Sequence, residues 1–161
     1  MSHELIAYGV IIGASFRVGK DYKKLQMLNK KIIHRLPKDE NWPWVDKSIF
    51  SLPGGYPYGT FRRQVIHFGL SMKDDPDNYK EESFYYMKMR NDWMNKFENI
   101  LRQLYWYSVR LHIESDFNKR TELTYVPTES AIAGMFNTTP LPIQEWVITE
   151  QTILGKKLQG T

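Results

Sequence analysis

Arg63 and His67 in one segment, and Arg110, His112 and Glu114 in another, are the residues whose types and spacing could do chemistry. Both sets fall on even spacings, so an extended backbone would turn each set onto one face. If the two segments lie side by side in one sheet, facing side chains come within about 5 Å. Such a patch offers guanidinium groups to an anionic small molecule and an imidazole that exchanges a proton near neutral pH. Two histidines with Glu114 also have the donor types of a metal site. The plainer alternative is a charged outer face, which antiparallel sheets commonly present to water.

Tyr56, Tyr58 and Arg62 stand just ahead of the first set, in "SLPGGYPYGTFRRQVIHFGL" (51–70). Glycine and proline supply turn chemistry there, and the tyrosines have no periodic role in a core. They complete the candidate ligand-binding set. Catalytic residues are left unassigned, because no His-Glu-x-x-His helix, paired-carboxylate motif or nucleophile signature occurs. "GASFRVGK" (13–20) stands where a phosphate loop belongs, between strand and helix. Its glycines have the wrong spacing, and Asp21 occupies the place of the metal-binding hydroxyl and would repel phosphate. No cofactor and no metal is assigned.

The elements that must position these side chains follow from periodicity. Leu5–Ile12 is a short apolar run and predicts a strand buried on both faces. Residues 19–36 predict a helix with Leu25, Leu28, Ile32 and Leu36 in one arc, Tyr22 and Ile33 at its edge, and Pro37 as its stop. Residues 38–58 have no sustained period and predict a long loop carrying Trp42 and Trp44. Residues 60–72 alternate, with Ile66, Phe68 and Leu70 on one side and Arg63, Val65 and His67 on the other. Residues 79–104 predict a second helix with Tyr86, Met89, Trp93, Phe97, Ile100 and Leu104 on its apolar stripe.

Residues 105–115 alternate as a strand, with Tyr105, Tyr107, Val109, Leu111 and Ile113 on the apolar side. A helix continuing from 104 competes, but it would put Val109 and Ile113 on the wrong face. Residues 121–126 complete a hairpin with this strand. Residues 127–142 predict a loop, 145–154 a final strand, and 155–161 a frayed tail. The expected fold is α+β: a mostly antiparallel sheet of about five strands with two main helices on one face, in a single domain spanning 1–161.

The totals set the limits. At 161 residues, 42% apolar and 25% charged, the chain has the composition of one globular domain. It has no cysteine, which removes disulfides, thiol nucleophiles and Cys-ligated metals and fits a cytoplasmic protein. The apolar run 5–14 lacks a positive leader and is too short to span a bilayer, so no membrane association is expected.

The net charge of +4 is concentrated. Residues 1–35 hold seven basic side chains against Glu4 and Asp21, which is +5 and leaves −1 for the rest. Lys20, Lys23, Lys24, Lys30, Lys31 and Arg35 fill the polar arc of the first helix. They form a candidate nucleic-acid surface, or else a solvated face.

Most of the chain's aromatic residues lie between Trp42 and Tyr107. Aromatics and arginine are the residues enriched at protein–protein hot spots. The leading expectation is therefore a small interaction protein that binds a protein partner, or a second copy of itself, through Trp42, Trp44, Tyr56, Tyr58 and the neighbouring sheet surface. An anionic-ligand protein or enzyme using the Arg/His/Glu cluster is the alternative, and nucleic-acid binding through the first helix ranks third.

Overall fold

The computed structural model describes residues 4–13, 22–51, 65–73, 82–115 and 119–154. Among the described residues, six strands form one sheet: β1 (Glu4–Ile12), β2 (Phe50–Ser51), β3 (Val65–Lys73), β4 (Ser108–Ser115), β5 (Lys119–Pro127) and β6 (Trp146–Leu154). Their order is β2-β3-β1-β4-β5-β6, and every neighbouring pair is antiparallel. The α-helices of the described residues, α1 (Tyr22–His34), α2 (Glu82–Leu101) and α3 (Glu129–Met135), complete an α+β fold. The region 105–115 is extended from Ser108 onward, as the alternation predicts.

One face of the sheet is the floor of the core. Leu5, Ala7 and Ile11 of β1 lie beside Ile66, Phe68 and Met72 of β3 and Val109, Leu111 and Ile113 of β4, all buried. Leu123 and Tyr125 of β5 continue the layer. Leu25 and Ile33 of α1 and Met89, Trp93, Phe97, Ile100 and Leu101 of α2 close it from above. The ring of Phe68 lies 4.6 Å from Phe97, and Trp93 stacks on Phe97 at 4.9 Å. Gly9 lies under this layer for a steric reason: a β-carbon there would lie 1.9 Å from the Arg110 carbonyl oxygen. Glycine is what lets β1 and β4 pair at this point.

Several local expectations are corrected. β1 is not buried on both faces, because the helices cover only one. Its other face carries Ile6, which is exposed, and Tyr8, Val10 and Ile12, which are half-buried. The buried stripe of α1 runs through Leu25, Asn29 and Ile33, while Leu28 and Ile32 are half-buried. A polar residue holds the centre of that stripe because both ends of the Asn29 carboxamide are hydrogen-bonded. Its amide donates to the Tyr105 carbonyl at 2.7 Å, and its side-chain oxygen accepts from the Tyr105 N–H at 2.8 Å. The backbone at 105 therefore bonds a helix rather than a strand.

Ahead of β4 the alternation also fails. Trp106 is buried and donates to the Leu101 carbonyl, whereas Tyr107 is exposed. Residues 127–142 are not all loop. α3 is capped by Thr128, whose hydroxyl accepts from the Ala131 N–H. Residues 38–58 include a 3-10 turn (Lys47–Ile49) and the two-residue β2. The expected starts of both main helices, the 60–64 segment and the tail 155–161 lie outside the described residues.

Candidate functional site

The strands β3 and β4 share the sheet and the same face, but they are not neighbours. β1 lies between them, with Val10 facing both His67 and Arg110. Two strand spacings therefore separate His67 from Arg110, roughly 10 Å of backbone. His112 lies one row further on, opposite Tyr8. The side-by-side placement of the two segments is thus corrected: the apolar run 5–12, central in the sheet, intervenes.

What assembles on the open face is a cluster around His112. Its ring stacks on Tyr8, with centroids 5.1 Å apart. The Tyr8 hydroxyl donates to Glu114 at 2.8 Å. From β5, Arg120 reaches both acids: its Nη2 lies 3.1 Å from Glu122 Oε1, and its Nε lies 3.8 Å from Glu114 Oε1. The His112 Nδ1 sits between this guanidinium at 3.2 Å and Glu122 at 3.4 Å. Unprotonated, that nitrogen accepts from Arg120; protonated, it donates to Glu122.

Burial, then the hydrogen bond to Glu114 and its charge, raise the Tyr8 phenol above its ordinary pKa. Tyr8 therefore acts here as a hydrogen-bond donor and not as a base. Two carboxylates surround one guanidinium, so the group carries an excess of negative charge when His112 is neutral. Its arginine already lies against both carboxylates, which compete with an incoming anion for the guanidinium, although the buried Nε makes no hydrogen bond.

Arg110 points from the same face and is exposed, as is His67, which faces Ser51 of β2. Tyr56, Tyr58, Arg62 and Arg63 lie outside the described residues. Among the described residues, no group of three or more His, Asp or Glu side chains could hold a metal ion. Tyr8, Arg120 and Glu122 are members of the cluster that periodicity alone did not select. The available signal was the hairpin itself, because its register sets Arg120 opposite Glu114 and Glu122 opposite His112.

The second candidate region runs from α1 into β2, and buried polar chemistry fixes its course. Asp39 accepts from the N–H groups of Asn41 and Val45 at 3.1 and 3.0 Å, and from Lys96 of α2 at 2.7 Å. Lys96 also donates to the carbonyls of Asn41 at 2.6 Å and Pro43 at 3.0 Å. Asp46 accepts from the Asp39 N–H at 3.2 Å and from the N–H and hydroxyl of Ser48 at 2.9 and 2.5 Å.

Burial alone would raise the Asp39 carboxyl, but Lys96 and the two amides outweigh it and leave the pKa lowered. The Ser48 hydroxyl and amide lower that of Asp46 in the same way. The Trp42–Pro43 peptide is cis. Trp42 packs half-buried against the core, while Trp44, between buried Pro43 and Val45, is 51% exposed.

The third region is the outer face of α1. Lys23, Lys24, Lys30, Lys31 and Arg35 are all exposed, and Lys20 lies outside the described residues. Met27 is exposed among them, and with Lys30, Lys31, His34 and Arg35 it lines a shallow open depression. Lys31 and His34 occupy the last turn of the helix, where cations complement the partial negative charge of the carbonyl end.

Among the described residues, no helix is long and apolar enough to cross a membrane. No protein-family model, curated protein or solved structure matches this chain.

Proposed function

We propose that this chain is a small cytoplasmic interaction protein, which docks a protein partner through the segment between α1 and β2 with Trp44 as its anchor. The observation that carries this reading is the exposure of Trp44 on a backbone tied down at Asp39, Asp46 and Lys96. Binding energy concentrates in a few buried aromatic or arginine contacts, and tryptophan leads that group. A side chain held out by a fixed backbone loses little freedom on binding, which favours affinity. Trp42 has a different role, because its half-buried ring packs on the core.

The rival readings draw less support from the geometry. On the sheet face, Arg120 is matched by Glu114 and Glu122, which leaves little to attract an anionic ligand. On α1, part of the basic face answers the helix dipole.

The test compares three immobilised forms of the full chain: wild type, Trp44→Ala and Lys30→Ala. The expected result is a protein retained by wild type and Lys30→Ala but lost from Trp44→Ala. Equal retention by all three, or none by any, overturns the reading.

A further inference from the structure

We propose that β6 is a self-association edge, on which two copies of the chain pair antiparallel about a two-fold axis to form one continuous sheet. The proposal rests on the reading of the chain as an interaction protein. It uses the opposite edge of the sheet from the segment that carries Trp44, so the two can fail separately.

β6 is the terminal strand and pairs only with β5 among the described residues. Its pairing runs without a skip from Trp146↔Pro127 to Leu154↔Lys119. Every second residue along it must therefore direct its N–H and C=O groups away from the sheet. Natural edges are blunted by lysine, proline, a bulge or shortness. The sequence "WVITEQTIL" has none of these. Residues 147–152 are all exposed, Val147 at 62% and Ile148 at 40%. The one charge, Glu150, is held by Arg90 of α2 at 2.9 Å.

The occupant follows from self-complementarity. A row of outward donors and acceptors matches its own copy when the copy is turned about an axis perpendicular to the sheet. That operation keeps both helix layers on the same side, so residues that face each other across the axis belong to the same face. Each register therefore sets one residue against itself. Glu150 is excluded by like charge. Of the registers that remain, we take those centred on Ile148 and Thr149: the first sets β-branched apolar side chains together, and the second sets Val147 against Gln151. The other edge, β2, has two residues among the described residues and offers little there to pair with β6. The assembly therefore closes as a dimer rather than growing as a fibre.

The absence of cysteine makes the test clean. Single cysteines placed in the full chain at Val147, Ile148, Thr149 and Gln151 read the register, because facing residues of an antiparallel pair lie within disulfide reach. The expected result is rapid cross-linking to a dimer under mild oxidant, peaking at Ile148→Cys or Thr149→Cys and falling on either side. A Lys30→Cys control on α1 should cross-link slowly.

Wild type should sediment at twice its 19.1 kDa monomer mass. Thr149→Lys should raise the dissociation midpoint about tenfold or more, as edge lysines do. Trp44→Ala should leave the dimer intact. Four results overturn the proposal: a wild-type monomer at all concentrations, a dimer indifferent to Thr149→Lys, equal cross-linking at every position, or cross-linking of Thr149→Cys to a different protein in cells. If Thr149→Lys does not fold, wild-type sedimentation and the cysteine series still decide.

Discussion

Replacing Lys96 by methionine removes the cation that organises the segment holding Trp44 but keeps most of the apolar stem. The ammonium makes three contacts, at 2.7 Å to Asp39 and at 2.6 and 3.0 Å to the carbonyls of Asn41 and Pro43. The side chains of Lys96 and Asp39 are 30% and 17% exposed, so the pair is neither fully buried nor free in solvent. Exposed pairs contribute up to about 1 kcal/mol, and breaking a buried one costs about 3–5 kcal/mol. A loss of about 2 kcal/mol is the expected middle value, since water still reaches the site and screens part of the charge.

For a chain of this length, that corresponds to a fall in Tm of about 4–8 °C. Urea unfolding should show the lower midpoint with an unchanged slope. Combining Lys96→Met with Asp39→Asn should cost clearly less than the two single losses together, because they share one interaction. The acid limb offers an independent check. The Asp39 carboxyl is lowered in the folded state, so its contribution is complete above the ordinary carboxylate value and is lost as pH falls through the folded value. Wild type should therefore lose stability below about pH 4, and Lys96→Met should show a shallower decline. A variant within about 0.5 kcal/mol of wild type, or strict additivity with Asp39→Asn, would refute the claim that this cation holds the segment.

Two further outcomes follow from the core. Asn29→Ala should cost about 2–4 kcal/mol in urea unfolding, since it strands the N–H and C=O of Tyr105 in a part-buried place. Gly9→Ala should prevent folding or cost more than about 4 kcal/mol by circular dichroism melts, because its new carbon would sit 1.9 Å from a backbone oxygen that cannot step aside.

The sheet and both long helices were legible because each shows one period over many residues. The stripe of Met89, Trp93, Phe97 and Ile100 can be buried only by a helix, and Val109, Leu111 and Ile113 only by a strand. Where short-range partners decide, the pattern fell silent. Asn29 reads as polar surface until Tyr105 is placed against it, 76 residues away in sequence. α3 is seven residues long and contains Gly134, so its period is too short to register, although Thr128 and Glu129 supply the cap and the first-turn acid. The burial of Trp106 against the alternation depends on its hydrogen bond to Leu101, which the residue types alone do not announce.

The candidate site was legible by face and not by neighbourhood. Even spacing put Arg110, His112 and Glu114 on the open face, where they are found, but spacing says nothing about strand order. The order matters because charge partners come from adjacent strands. β4 is flanked by β1 and β5, so His112 and Glu114 meet Tyr8, Arg120 and Glu122 rather than His67. The middle of the open face thereby balances most of its own charge and satisfies much of its hydrogen bonding. Two surfaces at the ends of the sheet lack such compensation: an exposed indole on the fixed segment leading into β2, and the outward backbone row of β6. Recognition needs surface that gains by being covered. That requirement, more than the presence of arginine and histidine, favours the edges over the charged centre as recognition surface in this fold.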